Sequence, residues 1–126
     1  MDSLQIFGLA SQQAAWLAAR QSAISHNIAN SNTPGYRTVD VQPFAKVLEM
    51  TGLEVSVTAA GQQTTSVSAA RPVQMRDTDS TDTLLSGNNV SVEQEMEKAG
   101  EVNRNFMLNT GIEKAFHRML LSAVKA

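Results

Sequence analysis

The sequence predicts a mainly α-helical protein in which two long terminal helices form a coiled-coil-like pair, with an extended arm and a small β or irregular insert between them. Apolar residues recur at three- and four-residue spacing at both ends of the chain. A turn containing Pro and Gly stops the first of these stretches. The middle is polar, and apolar and polar residues alternate there only over two short stretches. We therefore divide the chain into an N-terminal helix (1–30), a turn and arm (31–48), an insert (49–90) and a C-terminal helix (91–126).

The composition excludes several classes of function. The chain has 126 residues, a net charge of −2 and no Cys, so disulfides and Cys-based zinc sites are excluded. The charge gives no long-range attraction to nucleic acid or anionic membranes. No apolar stretch is long enough to span a bilayer, and the start at Met1 lacks the basic and apolar regions of a secretory signal. We expect no nucleic-acid partner, no membrane insertion and, if the protein is exported, a route without a cleavable signal peptide.

The first element is predicted to run from about Asp2 to Asn30. Its apolar positions follow the spacing of a heptad seam with one polar member. The predicted seam is Phe7, Ala10, Ala14, Leu17, Gln21, Ile24 and Ile28. Trp16 widens this stripe, and its side chain could either pack inside the protein or anchor a partner.

The last element is predicted to run from about Val92 to Val124. Ser91 and Gln94 have the spacing of a capping box at its start. Glutamates crowd the start and basic residues the end, which complements the helix dipole. Its predicted apolar face is Val92, Met96, Ala99, Val102, Phe106, Ile112, Phe116, Leu120 and Ala123.

An Asn-rich turn ends the first helix. The segment from Asn27 to Arg37 reads NIANSNTPGYR, and Asn and Ser side chains compete with helix for backbone groups. Pro34 disfavours helical geometry at Thr33 and has no N–H to donate. Gly35 permits a positive φ in the turn. The segment therefore predicts a firm stop followed by an extended arm.

Two recognition residues follow the turn. Tyr36 combines an aromatic ring with a polar tip, and Arg37 carries a rigid cationic fork. Interface hot spots favour these residue types, so both are candidates for contacting a neighbouring molecule. The alternative is that Tyr36 packs back on the first helix, and the sequence leaves both interpretations open.

The insert contains two short β-prone stretches. Leu53–Thr58 alternates clearly, and Thr64–Ala69 does so more weakly, with Gly61 between them. A two-stranded hairpin of this kind is marginal alone.

Candidate metal sites are incomplete in the sequence. His26 and His117 lie near the ends of the two helices, but no third ligand is spaced to complete a site. Asp77, Asp79 and Asp82 resemble part of a calcium loop, although the required central Gly and terminal Glu are missing. Neither a G-x-S-x-G elbow nor a G-x-G-x-x-G loop is present. We therefore expect no catalytic residue, no cofactor, no metal and no enzyme activity.

Three stretches of the chain resemble a family of flagellar proteins. Asn27–Tyr36 resembles the N-terminal signature of bacterial flagellar rod and hook axial proteins, in which a helix ends in an Asn-rich, Thr-Pro-Gly-Tyr-like turn. Arg37–Phe44 (RTVDVQPF) and Gly87–Met96 (GNNVSVEQEM) resemble the proximal rod protein of the basal body, the FlgB family. The resemblance does not extend to the middle of the chain, about Met50 to Ser86.

The resemblance implies a structural subunit of the proximal rod, required for motility. The subunit would join copies of itself and other rod proteins in a helical drive shaft that links the membrane ring and export gate to the distal rod and hook. It would lie in the periplasmic rod of the basal body after export by the flagellar type III apparatus. Its terminal segments would become helical when neighbouring subunits cover them.

Two sets of residues receive roles in this interpretation. The predicted assembly interface is Phe7, Ala14, Trp16, Leu17, Ile24, Ile28, Val92, Ala99, Val102, Phe106, Phe116 and Leu120. The predicted turn and arm motif, which would aim the arm at a neighbouring subunit, is Asn27, Asn30, Thr33, Pro34, Gly35, Tyr36 and Arg37.

Two other functions remain open at this point. One is a different rod subunit of the same axial family. The other is a soluble helical-hairpin export chaperone or adaptor, which would be a discrete, well-folded dimer. A rod subunit would instead be weakly folded at its ends and prone to polymerise.

Overall fold

The structure, a computed structural model, describes residues 3–49, 75–77 and 83–125. The elements in chain order are helix α1 (Ser3–Ala29), strand β1 (Val39–Val41), a short helical segment α2 (residues 44–49), strand β2 (Met75–Asp77) and helix α3 (Val92–Lys125). The predicted class, mainly helical with two long terminal helices, is confirmed. Among the described helices, none combines the length and the apolar character needed to cross a membrane.

Helix α1 is stopped by the residue that follows it. It has 27 residues, which corresponds to about 40 Å. The backbone N–H of Asn30 is shared between the carbonyl oxygens of His26 and Asn27, at 3.2 Å each. The side-chain amide of Asn30 also donates to the carbonyl of His26 at 2.8 Å. These local bonds occupy the last free carbonyls of the helix and end it.

The arm, residues 37–48, forms the first strand of a very small antiparallel ladder. β1 pairs with β2 so that Val39 faces Asp77 and Val41 faces Met75. A two-stranded ladder of three residues per strand needs support from other elements. The hairpin predicted for residues 53–69 lies outside the described part of the chain.

Helix α3 begins where its capping signal predicts, although its cap uses a different contact. The carbonyl oxygen of Ser91 accepts the N–H of Glu95 at 3.0 Å, which is the backbone role of an N-cap. The Ser91 hydroxyl donates to the carboxylate of Glu93 at 3.3 Å, and not into the expected box with Gln94. Acidic residues lie in the first turn and Lys125 in the last, as the helix dipole favours.

The two long helices pack antiparallel. The end of α1 meets the start of α3 where the amide of Asn27 donates to Glu95 Oε2 at 3.0 Å. The start of α1 meets the later part of α3 where the rings of Phe7 and Phe116 lie 5.6 Å apart, edge to face. The predicted coiled-coil-like pair therefore forms within one chain.

Residues seven apart on each helix form the seam of this pair. Leu17, Ile24 and Val102 are its buried apolar centre, with Trp16, Ile28 and Ala99 packed against it. The seam is Ala10, Leu17 and Ile24 on α1 and Glu95, Val102, Asn109 and Phe116 on α3. Among the residues that the structure describes, the buried apolar members of this seam are Ala10, Leu17, Ile24 and Val102, which make a small core for two long helices.

The buried face of α1 differs from the predicted seam toward its end. Gln21 is exposed, whereas Ala23 and Asn27 are completely buried. A straight α-helix drifts by about 20° per heptad relative to a strict seven-residue repeat. In addition, the arm covers α1 from a second side through Asn27. The placement of Gln21 in the seam was therefore wrong for the pair within one chain.

Candidate functional site

Residues 30–36, which we call the turn, reverse the chain after α1. The N–H of Tyr36 donates to the carbonyl of Thr33 at 3.3 Å, with Pro34 and Gly35 at the two central positions. Gly35 has a φ of 74°, which is the geometry of a type II turn and one that favours Gly. The positive φ expected from the sequence is confirmed.

Asn27 holds the arm against α1 through a fully occupied side-chain amide. Its Oδ1 accepts the backbone N–H of Val39 at 3.0 Å and the hydroxyl of Tyr36 at 3.0 Å. Its Nδ2 donates to the carbonyl of Val39 at 2.8 Å and to Glu95 at 3.0 Å. All four bonding positions of the amide are therefore used. Asn27 joins α1, the turn, β1 and α3 at one buried point.

Asn88, which lies more than fifty residues after the turn, binds the backbone of the turn. Its Nδ2 lies 3.0 Å, 2.9 Å and 2.8 Å from the carbonyl oxygens of Asn30, Ser31 and Thr33. Its Oδ1 accepts the N–H of Val90 at 2.8 Å. Asn88 is 1% exposed, so the amide that makes these bonds is itself shielded from water.

The residues around Asn88 pair with the turn along the backbone. We call residues 86–89 the clamp. The N–H of Gly35 donates to the carbonyl of Ser86 at 2.9 Å, and the N–H of Thr38 donates to Asn89 Oδ1 at 2.7 Å. Gly87 has a φ of 79°, and a Cβ added there would lie 3.4 Å from the Cα of Gly35. Glycine at both positions permits this close approach.

Trp16 contacts the second half of the arm. Its indole N–H donates to the carbonyl of Gln42 at 2.7 Å, and its ring lies 5.8 Å from that of Phe44. The guanidinium of Arg20 lies over the indole at 5.5 Å, a cation–π geometry. Of the two roles considered for Trp16, packing within the chain is the one observed.

A chain of ion pairs connects the three elements beside this contact. Asp40 on β1 lies 3.5 Å from Arg20 on α1 and 3.6 Å from Lys98 on α3. Lys98 also bonds to the buried Glu95 at 3.1 Å, and Arg20 reaches Glu101 at 3.4 Å. Because most of these groups keep partial contact with solvent, the pairs contribute orientation more than stability.

Tyr36 lies against α1 through its hydroxyl bond to Asn27. Burial raises the pKa of the Tyr36 phenol above its ordinary value, and the nearby carboxylate of Glu95 raises it further. The structure therefore shows the arrangement in which Tyr36 packs back on the first helix. Arg37 is exposed at the start of the arm.

The predicted interface residues fall into two groups. Those that pack between the elements of one chain are Phe7, Trp16, Leu17, Ile24, Ile28, Ala99, Val102 and Phe116. Ala14 is half-buried. Those that are exposed are Val92, Phe106 and Leu120. Contacts between subunits are not described by a single chain, so the assembly role of both groups stays a prediction.

Helix α3 carries two further apolar stripes outside the seam. Met96, Met107 and Leu121 lie on one side of it, and Leu108, Ile112 and Met119 lie on the other, by the geometry of about 3.6 residues per turn. We call these stripes the flanks. All six side chains are at least 48% exposed. Large uncovered apolar surfaces of this kind mark interaction sites.

The sequence reasoning missed five buried polar residues: Thr38, Asn88, Asn89, Glu95 and Asn109. Asn109 donates to the carbonyl of Ala10 at 3.0 Å, so it belongs to the seam. The signal for Glu95 and Asn109 was their seven-residue spacing with Val102. The clamp asparagines carried no comparable signal, because their partners lie more than fifty residues away.

The described residues offer no site for a metal ion. Within residues 3–49, 75–77 and 83–125, no group of three His, Asp or Glu side chains could hold one. His26 adjoins the end of the pair where Asn27 meets Glu95, and His117 adjoins the opposite end. The antiparallel packing thus separates the two histidines.

Comparison with known proteins identifies the family. A family model described as "Flagella basal body rod protein" matches residues 8–37, which comprise most of α1, the turn and the first residue of the arm. The flagellar basal body rod protein FlgB of Agrobacterium fabrum (strain C58) is 39% identical to this chain over 133 residues, covering 99% of this chain and 96% of that relative. The chain therefore belongs to the family of flagellar basal body rod proteins, whose role is structural.

Proposed function

We propose that this protein is a structural subunit of the proximal rod, assembling with copies of itself and with other rod proteins into a helical drive shaft. The observation that carries this proposal is the uncovered pair of flanks on a helix pair with a small core. In residues 3–49, 75–77 and 83–125, no third layer covers the flanks. Such a helix pair is a poor monomer, because its apolar surface exceeds what the two helices cover on each other. Neighbouring subunits complete the core.

A groove along one side of the pair fits such a neighbour. It is lined by Leu17, Ala18, Gly100 and Phe106. Ala18 and Gly100 are small, so a second helix can approach closely there, with side chains seated between the ridges of α1 and α3. Phe106, 46% exposed at the edge of the groove, is the aromatic contact that we assign to this interface.

Membership of the rod family implies assembly with other flagellar rod proteins in the basal body rod. We propose a more specific place. The subunit lies in the periplasm near the base of the rod, where it contacts membrane-ring or export-gate components. It reaches this place through the flagellar type III apparatus. The small core supports this route, since a loosely held helix pair separates easily for passage.

Disulfide cross-linking in cells tests the proposal. The chain has no Cys, so single substitutions Phe106→Cys, Met107→Cys and Leu121→Cys can be placed at exposed positions of α3 without background. Ala23→Cys, at a completely buried position outside the groove, is the matched control. We expect adducts to itself and to other rod proteins in isolated basal bodies from the exposed positions, and none from Ala23→Cys.

Other outcomes would contradict the proposal. Adducts confined to a cytoplasmic export substrate, with none in basal bodies, would support the alternative of an export chaperone. Normal swimming in cells that lack the gene would show that the protein is not an essential rod subunit.

A further inference from the structure

We propose that Asn88 is a positioning residue. It couples the shape of the turn and arm to the docking of the clamp, the segment that leads into α3, against them. In this mechanism the turn takes its observed form only while the clamp is seated on it. The coupling itself is a property of the chain. Its consequence for assembly rests on the proposed function.

The first support is the mode of contact. Three carbonyl oxygens, from Asn30, Ser31 and Thr33, converge on the Nδ2 of Asn88 at 2.8–3.0 Å. A primary amide has two hydrogens to donate to them. Because Asn88 is 1% exposed, water does not replace this donor while the chain is folded. Losing the donor removes all three bonds at once, and it leaves the Ser31 carbonyl without the bond from Asn88, whereas the carbonyls of Asn30 and Thr33 keep backbone bonds from Thr33 and Tyr36.

The second support is that the clamp is remote in sequence from everything it holds. The bonds from Asn88 span 55 to 58 residues, and the bond between Thr38 and Asn89 spans 51. The pairing of Gly35 with Ser86 and of Asn89 with Tyr36 is equally remote. The turn therefore receives these bonds only when the clamp has folded back against it.

The third support is a direct connection from the clamp to the seam. Asn88 Oδ1 binds the N–H of Val90, immediately before α3. One helical turn later, Glu95 bonds to Asn27 at the end of α1. Displacing the start of α3 from α1 therefore moves the clamp away from the turn. A subunit whose terminal helices are apart, as during export, has no fixed arm to present to a neighbour.

Hydrogen exchange on the full-length chain tests the coupling. Exchange is measured by mass spectrometry in trimethylamine N-oxide, at a concentration where circular dichroism shows maximal helix. The variants are Asn88→Ala and Asn88→Asp. The control is Asn32→Asp, which makes the same change of amide to carboxylate at an exposed position of the same turn. Peptides from residues 31–39 report the turn and arm, and peptides from residues 10–24 report the seam.

If Asn88 acts by donating hydrogen bonds, the variants should differ in a specific order in how well the amides of residues 31–39 are protected from exchange. Wild type should be protected best, Asn88→Ala less, and Asn88→Asp least, with exchange faster than wild type by about tenfold or more. Asp has the shape of Asn but turns oxygens toward the three carbonyls. Protection of residues 10–24 should change much less, and Asn32→Asp should resemble wild type.

Two results would overturn the inference. If Asn88→Asp protects the turn as well as wild type while Asn88→Ala does not, the side chain acts by filling space and not by donating. If protection of the turn and seam falls equally, Asn88 serves only global stability. Neither result concerns rod assembly, so failure of the coupling is distinguishable from failure of the proposed function, which the cross-linking in basal bodies tests.

Discussion

Asn27 gives β1 the two backbone bonds that a neighbouring strand would otherwise supply. Its side-chain amide binds both the N–H and the carbonyl of Val39, as a residue of an antiparallel partner would do. This explains how an arm with so short a ladder lies in a fixed place on a helix. Polar groups buried at this depth stabilise only when every bond is made. In the described part of the chain, no buried side-chain nitrogen or oxygen lacks a partner.

Replacing Asn27 by Ala should therefore be severe. The change removes four hydrogen bonds, so the two backbone groups of Val39, the Tyr36 hydroxyl and Glu95 Oε2 lose the partner that Asn27 supplies. We expect a loss of about 2–4 kcal/mol in the free energy of unfolding, from the usual penalty for unsatisfied buried groups. Urea unfolding in trimethylamine N-oxide measures it. Asn32→Ala, at an exposed position, should change the value by less than about 0.5 kcal/mol. Equal effects of the two substitutions would contradict this role.

The raised pKa of Tyr36 predicts a loss of stability at alkaline pH. The folded chain holds the phenolic proton more tightly than the unfolded chain, because burial and Glu95 disfavour the phenolate. This contribution is complete below the ordinary tyrosine pKa of about 10. It is lost as the pH rises through the folded-state pKa.

Tyr36 is the single tyrosine of the chain, so its phenolate absorbance can be titrated without interference. We expect the midpoint to lie above that measured in denaturant. Tyr36→Phe should abolish this part of the alkaline loss. A midpoint equal to that of the denatured chain would show that the hydroxyl is not held on Asn27.

At the scale of elements, the sequence predicted what is local and missed what is remote. The bounds of α1 and α3 follow from apolar spacing, and the turn follows from Pro34 and Gly35, because these signals act within a few residues. Asn88 could not be recognised in this way. The sequence Gly-Asn-Asn at residues 87–89 indicates a loop, and only the three-dimensional approach of the turn gives Asn88 its partners. Gln21 was placed in the seam for the same reason, because the contact of the arm with α1 is also remote in sequence and has no local signal.

The seam and the flanks of the helices should respond differently to substitution. Leu17→Ala empties a completely buried position and should reduce the free energy of unfolding by about 2–5 kcal/mol. Met107→Ala removes an exposed side chain and should change that energy by less than about 0.5 kcal/mol. Both should impair swimming, the first through folding and the second through subunit contacts.

Unfolding in trimethylamine N-oxide and swimming in soft agar separate the two effects. Wild-type swimming with Met107→Ala, Ile112→Ala and Leu121→Ala combined would show that the flanks do not carry subunit contacts.

At the scale of the whole molecule, the polar and apolar parts have different tasks. The buried network around Asn27 and Asn88 specifies one shape for the end of the helix pair. The apolar centre of Leu17, Ile24 and Val102 is too small to make that shape strongly stable alone. The flanks supply the missing burial only when another subunit is present. Specific folding and weak monomer stability are therefore compatible in this chain.

The same argument predicts that helix content depends on protein concentration. The purified chain should be partly helical when dilute, and should gain helix as concentration rises, because association covers the flanks and shifts the equilibrium toward the folded chain. Circular dichroism and sedimentation velocity across a range of concentrations measure both changes.

A variant with Met107→Ser, Ile112→Ser and Leu121→Ser, which leaves the seam and clamp intact, should remain monomeric with unchanging helix content. Trimethylamine N-oxide should still bring this variant to the helix content of wild type. A wild-type chain that is fully helical and monomeric at every concentration would contradict folding coupled to assembly.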